Sequence, residues 1–381
     1  MELVDSDTSF AHLMTLVRRA LCTIDLDKSP GYPLNLAFPS NKLALSALEE
    51  LIVHAATARL WCWLNGVIDL ACFGSLEAVC LGLVDPKTVF IKNEPHPLRK
   101  ITDRRYRCIT PVSIVDNLVE TVLFTDTANQ LKSPSNLFHS GSAVGISFTD
   151  SGMRQFSDFI NLTNAKFGVG HFDDVSGFDG LHTDQSLLAT CRIDDLSAYC
   201  RPGETIEKWS QANRIFVHSM ARSIVVFGNV CYTKTLPGML DSGSKDTSRR
   251  NTPLKCFYSA YLTYASGSIP LFTLANGDDG GVWGVENVSR YLECAESLNV
   301  KLRDVTTTSD NKIEFCSHLY DLDSGLAPLT SWEKMVYRIL CFDVTYSDAM
   351  QAVYECRHNE NFQQLINFVE SLNLRRPVVN H

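Results

Sequence analysis

Apolar positions in the first half of the chain recur with helical spacing. They predict a helix over residues 8–23, two or three helices over 41–83 and another helix over 112–131. The stretch from 88 to 98 begins as a strand and is stopped by its prolines. The first half is therefore expected to be mainly helical.

The second half of the chain alternates short strands with helices. The pattern predicts a strand over 165–175, largely helical structure over 183–220, a hairpin over 223–236, helices over about 243–264 and 287–298, a short strand pair over 300–320 and a mostly helical C-terminal region. Because strands and helices alternate without a clear βαβ repeat, the expected fold class is α+β.

A further predicted hairpin carries two adjacent carboxylates. Residues 271–275 are apolar, an Asn-Gly turn signal follows, and a second apolar stretch comes after Asp278 and Asp279. Asp and Gly are ordinary turn residues. A Gly-Asp-Asp triplet is expected by chance in about one chain of this length in ten. The triplet therefore needs support from the rest of the chain.

A second group of carboxylates follows the strand predicted over 165–175. Asp173 and Asp174 lie near its end, and Asp179 comes five positions after Asp174. Taken alone, such residues are explained better by helix caps or turns than by a functional site. A calcium loop fits poorly, because oxygen ligands at alternate positions with a later glutamate are missing.

A glycine-containing loop and the helix after it supply hydroxyl and amide groups. Ser242 and Gly243 precede Thr247 and Asn251, which lie one turn apart on one helix face. Such a face can bind a sugar or a base. Capping by Asp241 or Ser242 explains the start of the helix, but not a Thr and an Asn inside it, where helix propensity is poor.

Charge is distributed unevenly along the chain. The net charge is -9, which argues against a generally polycationic protein, yet residues 92–107 hold six Lys or Arg against Glu94 and Asp103. A charge run is usually a solvated face. Beside two carboxylate groups it indicates two-metal phosphoryl transfer, in which carboxylates on separate strands hold divalent cations and basic side chains neutralise phosphate charge.

Cysteine usage and hydropathy limit the class of protein. The thirteen cysteines are scattered without a C-x-x-C pair, which predicts free thiols in a reducing compartment and argues against a zinc site. No signal peptide is expected, because acidic residues stand at the N-terminus. No window approaches about 18 uninterrupted apolar residues, so no transmembrane segment is expected.

These elements, in this order, resemble the RNA-dependent RNA polymerases of positive-strand RNA viruses. "DVSGFD" resembles motif A, "SG…T…N" motif B and "NGDD" motif C, while "SPGYP", "FIKNE…RYRCI" and "EFCSHLYD" resemble motifs G, F and E. The resemblance covers residues 29–321. "RYRCITPVSIVDNLVETVLF" and "EFCSH" are most similar to sobemovirus, polerovirus and barnavirus polymerases.

The resemblance implies a role for each matched residue. Asp174 and Asp278 are implied as metal ligands with Asp279 as support, and a motif D general acid is expected, for which Lys301 is preferred over Arg303 and Lys312. The implied substrate-binding residues are Lys92, Lys100, Arg105, Arg107, Asp179, Ser242, Gly243, Thr247 and Asn251. The implied template and primer contacts are Ser29, Gly31, Pro33, Phe315, Cys316 and Ser317.

The resemblance also implies a fold, cofactors and partners. It implies a right-hand fold with an antiparallel palm sheet, divided into fingers (1–167), palm (168–183), a fingers insertion (184–235), palm (236–320) and a small or truncated thumb (321–381). Two Mg²⁺ ions, replaceable by Mn²⁺, would serve RNA-directed RNA polymerase activity. An RNA template, a nascent strand and nucleoside triphosphates are implied. A protein primer (VPg), other viral replication proteins and membrane-associated replication complexes in the host cytoplasm are further expectations.

Other classes of protein remain as alternatives. A reverse transcriptase would carry a bulky aromatic residue in place of Asp179 and would lack the Thr247/Asn251 pair, whose polar groups favour reading a 2′-hydroxyl. A non-catalytic RNA-binding protein would need the basic segment but not three carboxylates. A metallophosphatase would need histidine ligands, and His171 alone is close to the Asp groups.

Overall fold

The computed structural model describes residues 8–67, 74–96, 98–104, 106–132, 140–197, 205–228, 230–244 and 246–375. Arg105 of the basic segment and Asn229 of the predicted hairpin turn lie outside these ranges. Within them, no helix combines the length and apolar character that crossing a membrane requires.

Several helices begin at Ser, Thr or Asn residues whose side chains accept a hydrogen bond from an amide of the first turn. These caps are Ser9, Ser113, Thr149, Asn287 and Thr345. The helices are α1 Phe10–Leu21, α2 Asn41–Leu64, α3 Ser75–Cys80, α4 Leu98–Thr102, α5 Ile114–Leu131, α6 Asp150–Phe167, α7 Asp184–Ser197, α8 Thr205–Ala221, α9 Thr247–Ala265, α10 Val288–Ser297, α11 Trp332–Cys341, α12 Tyr346–Tyr354 and α13 Phe362–Ser371.

The strands form one four-stranded sheet and several smaller pairings. They are β1 Lys87–Thr88, β2 Phe90–Ile91, β3 Cys108–Ile109, β4 Gly170–Val175, β5 Ile224–Phe227, β6 Val230–Thr233, β7 Phe272–Asn276, β8 Asp279–Trp283, β9 Leu302–Thr307, β10 Lys312–Phe315 and β11 His318–Asp321. The larger sheet has the order β7-β8-β4-β9, and its pairings are antiparallel.

The chain divides into two compact units. Unit 1 contains Met1–Lys92, Arg107–Ser133 and Gly177–Leu254, and unit 2 contains Asn93–Tyr106, Pro134–Ser176 and Lys255–His381. The predicted bounds of fingers, palm and thumb stay a prediction.

Unit 1 is built mainly from helices around an aromatic core. The rings of Phe124 and Phe216 meet edge to face at 5.0 Å, and Trp63 and Trp209 are almost fully buried. The indole of Trp209 donates a hydrogen bond of 3.0 Å to the carbonyl of Leu123, so this buried polar group is satisfied. Strand β5 pairs with β1 in parallel and with β6 antiparallel.

Unit 2 carries the four-stranded sheet. Its core contains Phe156 of α6, Phe172 of β4, Trp283 of β8 and Tyr320 of β11. Glycine lets the strands and rings approach closely, because a Cβ at Gly281 would lie 2.8 Å from the ring of Phe172. The C-terminal helices α11 to α13 form a separate hydrophobic core within the same unit.

Two predicted elements differ from the structure. The strand expected over 165–175 begins at Gly170, because α6 extends to Phe167. The pair expected over 300–320 consists of three strands, since β10 and β11 form a hairpin and β9 instead pairs with β4. The spacing of Met153, Phe156 and Ile160 was a signal for α6, and these side chains are buried.

Candidate active site

The carboxylates of the "NGDD" hairpin face those of strand β4 within unit 2. Asp279 is the cross-strand partner of Asp174, and it also pairs with Asn276 to close the β7–β8 hairpin. Asp278 occupies the two-residue turn with Gly277, whose φ of 68° is in the left-handed region that such turns require. The hairpin therefore places Asp279 opposite Asp174, with Asp278 in the adjoining turn.

Neighbouring negative charges and burial perturb these carboxylates. Burial, reinforced by the charges of Asp278 and Asp174, raises the pKa of Asp279 to about 7. Burial and Asp278 also raise the pKa of Asp174, while Arg303 and Lys255 oppose that rise. A cation bound between these groups would relieve the repulsion, because it favours their ionised forms.

One oxygen of Asp174 fits a role as a metal ligand. Its Oδ1 atom is buried without a hydrogen-bond partner in the described residues, whereas Oδ2 pairs with Arg303. No three His, Cys, Asp or Glu side chains within those residues form a ready metal cage. The unpaired oxygen of Asp174 fits Mg²⁺, which is commonly held by one or two carboxylates together with water and substrate phosphate.

Asp173 has a different environment from Asp174, because successive strand side chains point to opposite faces. It is 4% exposed and forms an ion pair with Lys255 of α9. The hydroxyl of Tyr291 donates a hydrogen bond of 3.4 Å to Asp173 Oδ2. A Cβ at Gly280 would lie 2.5 Å from Lys255 Cε, so glycine leaves room for this buried lysine. Sequence patterns alone identified neither Lys255 nor Tyr291.

The predicted primer-grip residues lie at the β10–β11 hairpin. Cys316 and Ser317 form its turn, both with positive φ. Asn276 Nδ2 lies 3.1 Å from Cys316 Sγ, which links this turn to the end of β7. Burial raises the pKa of the Cys316 thiol. Phe315 belongs to the hydrophobic core, so its side chain has a packing role.

Lys301, the preferred motif D general acid, and Arg303 have different surroundings. Lys301 is exposed, and its carbonyl accepts a hydrogen bond of 2.9 Å from the amide of Ser176. Arg303 is the cross-strand partner of Asp174, and its guanidinium pairs with that carboxylate. The structure thus brings Arg303 to Asp174. The assignment of Lys301 stays a prediction.

Unit 1 brings two of the predicted ribose-binding residues together. Asn251 Nδ2 donates a hydrogen bond of 2.7 Å to Asp179 Oδ1. The hydroxyl of Thr247 donates to the carbonyl of Asp241 at 2.6 Å, so it stabilises the loop before α9. Gly243 lies within that loop with φ 143°, and a Cβ there would be 2.8 Å from the carbonyl of Thr110.

Ser242 anchors the same loop to the segment after β3. Its carbonyl accepts a hydrogen bond of 2.9 Å from the amide of Thr110. Lys92 and Arg107 of the basic segment extend the β2–β3 pairing, since the amide of Lys92 donates to the carbonyl of Arg107 at 2.8 Å. Lys100 is exposed on α4, and Arg105 lies outside the described residues.

The predicted template loop is held against the start of α5. The amide of Ile114 donates to the carbonyl of Pro30 at 2.8 Å, and the amide of Gly31 lies 3.3 Å from Ser29 Oγ. Gly31 has φ 69°, and a Cβ there would lie 2.5 Å from the carbonyl of Val112. Pro33 follows a cis peptide bond. Glycine is therefore required where this loop meets the helix.

Comparison with known proteins identifies the family. A model of the viral RNA-directed RNA polymerases matches residues 8–141 and 198–320. The chain belongs to this family. Asp278 and Asn251 lie within the second matched segment of the viral RNA-directed RNA polymerase model, while Asp174 and Asp179 lie between the two segments.

Individual relatives agree with this membership. The replicase polyprotein P2AB of Southern cowpea mosaic virus is 30% identical over 322 residues, which is 83% of this chain and 32% of that protein. The RNA-directed RNA polymerase of Mushroom bacilliform virus is 26% identical over 348 residues, 87% of this chain and 79% of that protein. The chain therefore spans about a third of the length of the replicase polyprotein that it matches.

A solved structure shares the fold. The Sicinivirus 3Dpol RNA-dependent RNA polymerase superposes with a TM-score of 0.65 over 94% of this chain and 79% of that chain, at 17% sequence identity. The α+β polymerase fold and the family expected from the sequence motifs are both confirmed.

Proposed function

We propose that this chain catalyses template-directed RNA synthesis by two-metal nucleotidyl transfer from ribonucleoside triphosphates to an RNA 3′-hydroxyl. The observation that carries the proposal is the β4–β8 register, which sets Asp174 opposite Asp279 beside the Asp278 turn. Carboxylates on separate strands are what two neighbouring divalent cations require.

Each group of residues has a distinct part in this proposal. Asp174 and Asp278 would hold two Mg²⁺ ions, which Mn²⁺ could replace, and Asp279 would support them. When bound, the ions would activate the 3′-hydroxyl and neutralise the triphosphate. Asp179 and Asn251 recognise the ribose. The exposed basic side chains of the 92–107 segment attract nucleotide and RNA phosphates.

Base selection follows from pairing with the template, so no base-reading side chain is required. RNA template, nascent strand and nucleoside triphosphates are the proposed substrates. The partners in replication are proposed to include a protein primer and other viral replication proteins. The proposed location is the host cytoplasm, in replication complexes that reach membranes through those partners.

Primer extension on a homopolymeric RNA template tests the proposal. The wild type is expected to incorporate ribonucleotides in the presence of Mg²⁺, whereas Asp278→Ala is expected to lose at least about a hundredfold in rate, because it removes a metal ligand. Asp310→Ala is the matched control, since Asp310 is an exposed residue of a 3₁₀ turn.

Mn²⁺ binding measured by electron paramagnetic resonance provides a readout that is independent of turnover. If Asp278→Ala loses both incorporation and Mn²⁺ binding while Asp310→Ala keeps them, the metal assignment is supported. Equal use of deoxyribonucleotides by the wild type would favour the reverse transcriptase alternative. If the wild type and both variants bind RNA but none incorporates nucleotides, the polymerase proposal is contradicted.

A further inference from the structure

His182 lies three residues after Asp179 and has no role in the motifs described above. Its side chain is 3% exposed, and its ring packs edge to face on Phe178 with centroids 4.6 Å apart. Its Nε2 atom lies 3.0 Å from Asn251 Oδ1. His182 therefore contacts one of the two proposed ribose-binding residues from the side opposite Asp179.

The hydrogen-bond roles along this chain of three side chains follow from Asp179. A carboxylate only accepts, so the Asn251 amide turns its Nδ2 group toward Asp179 Oδ1, where the distance is 2.7 Å. Oδ1 of Asn251 then faces His182, and Nε2 of His182 must donate. With its hydrogen on Nε2, the imidazole supports the amide orientation that Asp179 sets.

The alternative amide orientation is disfavoured at both ends. A rotated Asn251 would direct Oδ1 at the Asp179 carboxylate, which places two acceptors together. It would also direct Nδ2 at His182 Nε2, which could accept only if the imidazole moved its hydrogen to Nδ1. Without a donor at residue 182, one of these two penalties disappears, and the buried Oδ1 atom loses its partner.

The backbone holds both ends of this side-chain chain in place. The carbonyl of Asp179 accepts from the amide of Leu240 at 2.9 Å, and the carbonyl of His182 accepts from the amide of Met239 at 2.8 Å. At Gly238 a Cβ would lie 2.2 Å from the His182 carbonyl, so glycine permits this approach. The segments 179–183 and 238–240 are therefore joined by hydrogen bonds at both residues that contact Asn251.

The protonation state of His182 is consistent with a single donated hydrogen. Burial lowers its pKa to about 4, so the imidazole is neutral at neutral pH. A buried histidine is more often a satisfied core residue than a functional one. Here its partner is Asn251, and Asn251 in turn holds Asp179.

Substrate groups remain available at the other end. Within the described residues, the side chains of Asp179 and Asn251 share one hydrogen bond, which leaves Asp179 Oδ2 and the second amide hydrogen of Asn251 for a ligand. A ribose 2′-hydroxyl both donates and accepts, and this pair of groups matches it.

We propose that His182 is a positioning residue for ribose selection, which orients the Asn251 amide and thereby the Asp179 carboxylate toward a substrate 2′-hydroxyl. The inference rests on the proposed polymerase function. A site built to hydrogen-bond a hydroxyl discriminates strongly against the analogue that lacks it, provided that its polar groups are held in place. His182 keeps the Asn251 amide in place through its hydrogen bond to Asn251 Oδ1.

Two substitutions of His182 test the hydrogen-bond donor and the aromatic ring separately. His182→Phe keeps the aromatic packing against Phe178 and removes the N–H. His182→Gln removes the ring but keeps an amide donor of similar reach. His218→Phe is the matched control, since His218 lies on α8 and lines a separate small cavity with Arg222 and Ile224.

The measurement is kcat/KM for incorporation of ATP against 2′-deoxyATP opposite a uridine template. We expect His182→Phe to lower the ATP preference about three- to tenfold, the effect of one misplaced hydrogen bond, mainly through the ribonucleotide. His182→Gln should recover most of the preference, and His218→Phe should retain it. Urea unfolding at the same pH checks that each variant is folded.

Several outcomes would overturn the inference. An unchanged preference in folded His182→Phe, or an equal fall with both nucleotides, would leave His182 a structural residue. Failure of His182→Gln to recover the preference would also count against it. If the wild type incorporates neither nucleotide, the polymerase proposal itself fails, and equilibrium competition between ATP and 2′-deoxyATP for the protein decides the inference. Equal binding of the two by the wild type would then refute it.

Discussion

At the scale of single residues, two acidic side chains that are adjacent in sequence have different environments, because the strand turns them to opposite faces. Asp173 and Asp174 are adjacent in sequence, yet Asp173 pairs with buried Lys255 while Asp174 pairs with Arg303 and keeps one oxygen unpaired in the described residues. Period-two alternation is the cause. The sequence motif predicts Asp174 as the metal ligand, and its unpaired oxygen supports that proposal over Asp173.

Arg303 pairs with Asp174 Oδ2 and would compete with a cation proposed to bind there. We expect Arg303→Gln to bind Mn²⁺ about two- to fivefold more tightly, because a partly exposed ion pair that opposes binding is worth about 0.2–1 kcal/mol. Mn²⁺ titration followed by electron paramagnetic resonance measures the effect. Arg290→Gln is the control, since Arg290 is an exposed arginine that pairs with Glu293. Weaker Mn²⁺ binding in Arg303→Gln would show that Arg303 helps to organise the ligands instead.

At the scale of elements, the loop before α9 depends on a buried acid of α5. Ser244 donates a hydrogen bond of 2.8 Å to Glu120 Oε2. Burial raises the pKa of Glu120 to about 8, although the charge of Lys87 opposes the rise. The folded protein therefore holds a proton on Glu120 that the unfolded chain releases at a much lower pH.

This shift predicts a pH dependence of stability. Because the folded-state pKa is raised from 4.5 to about 8, the stabilising contribution is complete below pH 4.5 and is lost as pH rises through about 8. Glu120→Gln, which stays neutral, should gain stability relative to the wild type between pH 6 and pH 8.5. Urea midpoints of both proteins at the two pH values measure the difference. A constant difference between them would refute the prediction.

Elements were predicted best where local signals were strong. The β7–β8 hairpin follows from its Asn-Gly turn between apolar runs, and helix α5 from its period and its Ser113 cap. The strand expected over 165–175 took in the end of α6, because the apolar residues at that helix end continue into the strand. Strand β9 was expected in a local pair, but its pairing with β4 is a long-range contact.

At the scale of the whole molecule, the net charge of -9 contrasts with the basic segment at 92–107. RNA affinity should therefore come from local contacts and depend steeply on salt. We expect Lys92→Gln and Lys100→Gln each to reduce the slope of log affinity against log salt by about 0.7, the value for one single-strand phosphate contact. Filter binding of single-stranded RNA at several KCl concentrations measures it.

Lys42→Gln on α2 is the control for this experiment, since Lys42 is an exposed lysine distant in sequence from the basic segment. Its slope should equal that of the wild type. Equal slopes in all the variants would mean that the 92–107 segment does not contact RNA phosphate.

The sequence by itself determined the family and the α+β class, and it named Asp174, Asp278 and Asp279 as the proposed metal-binding carboxylates. These follow from short motifs in which turn chemistry and ligand chemistry coincide, as in "NGDD". Tertiary structure alone decided that Asp173 pairs with Lys255, that Arg303 meets Asp174 and that His182 meets Asn251. Those partners lie far apart along the chain, and no local pattern encodes a contact that forms only when distant segments pack.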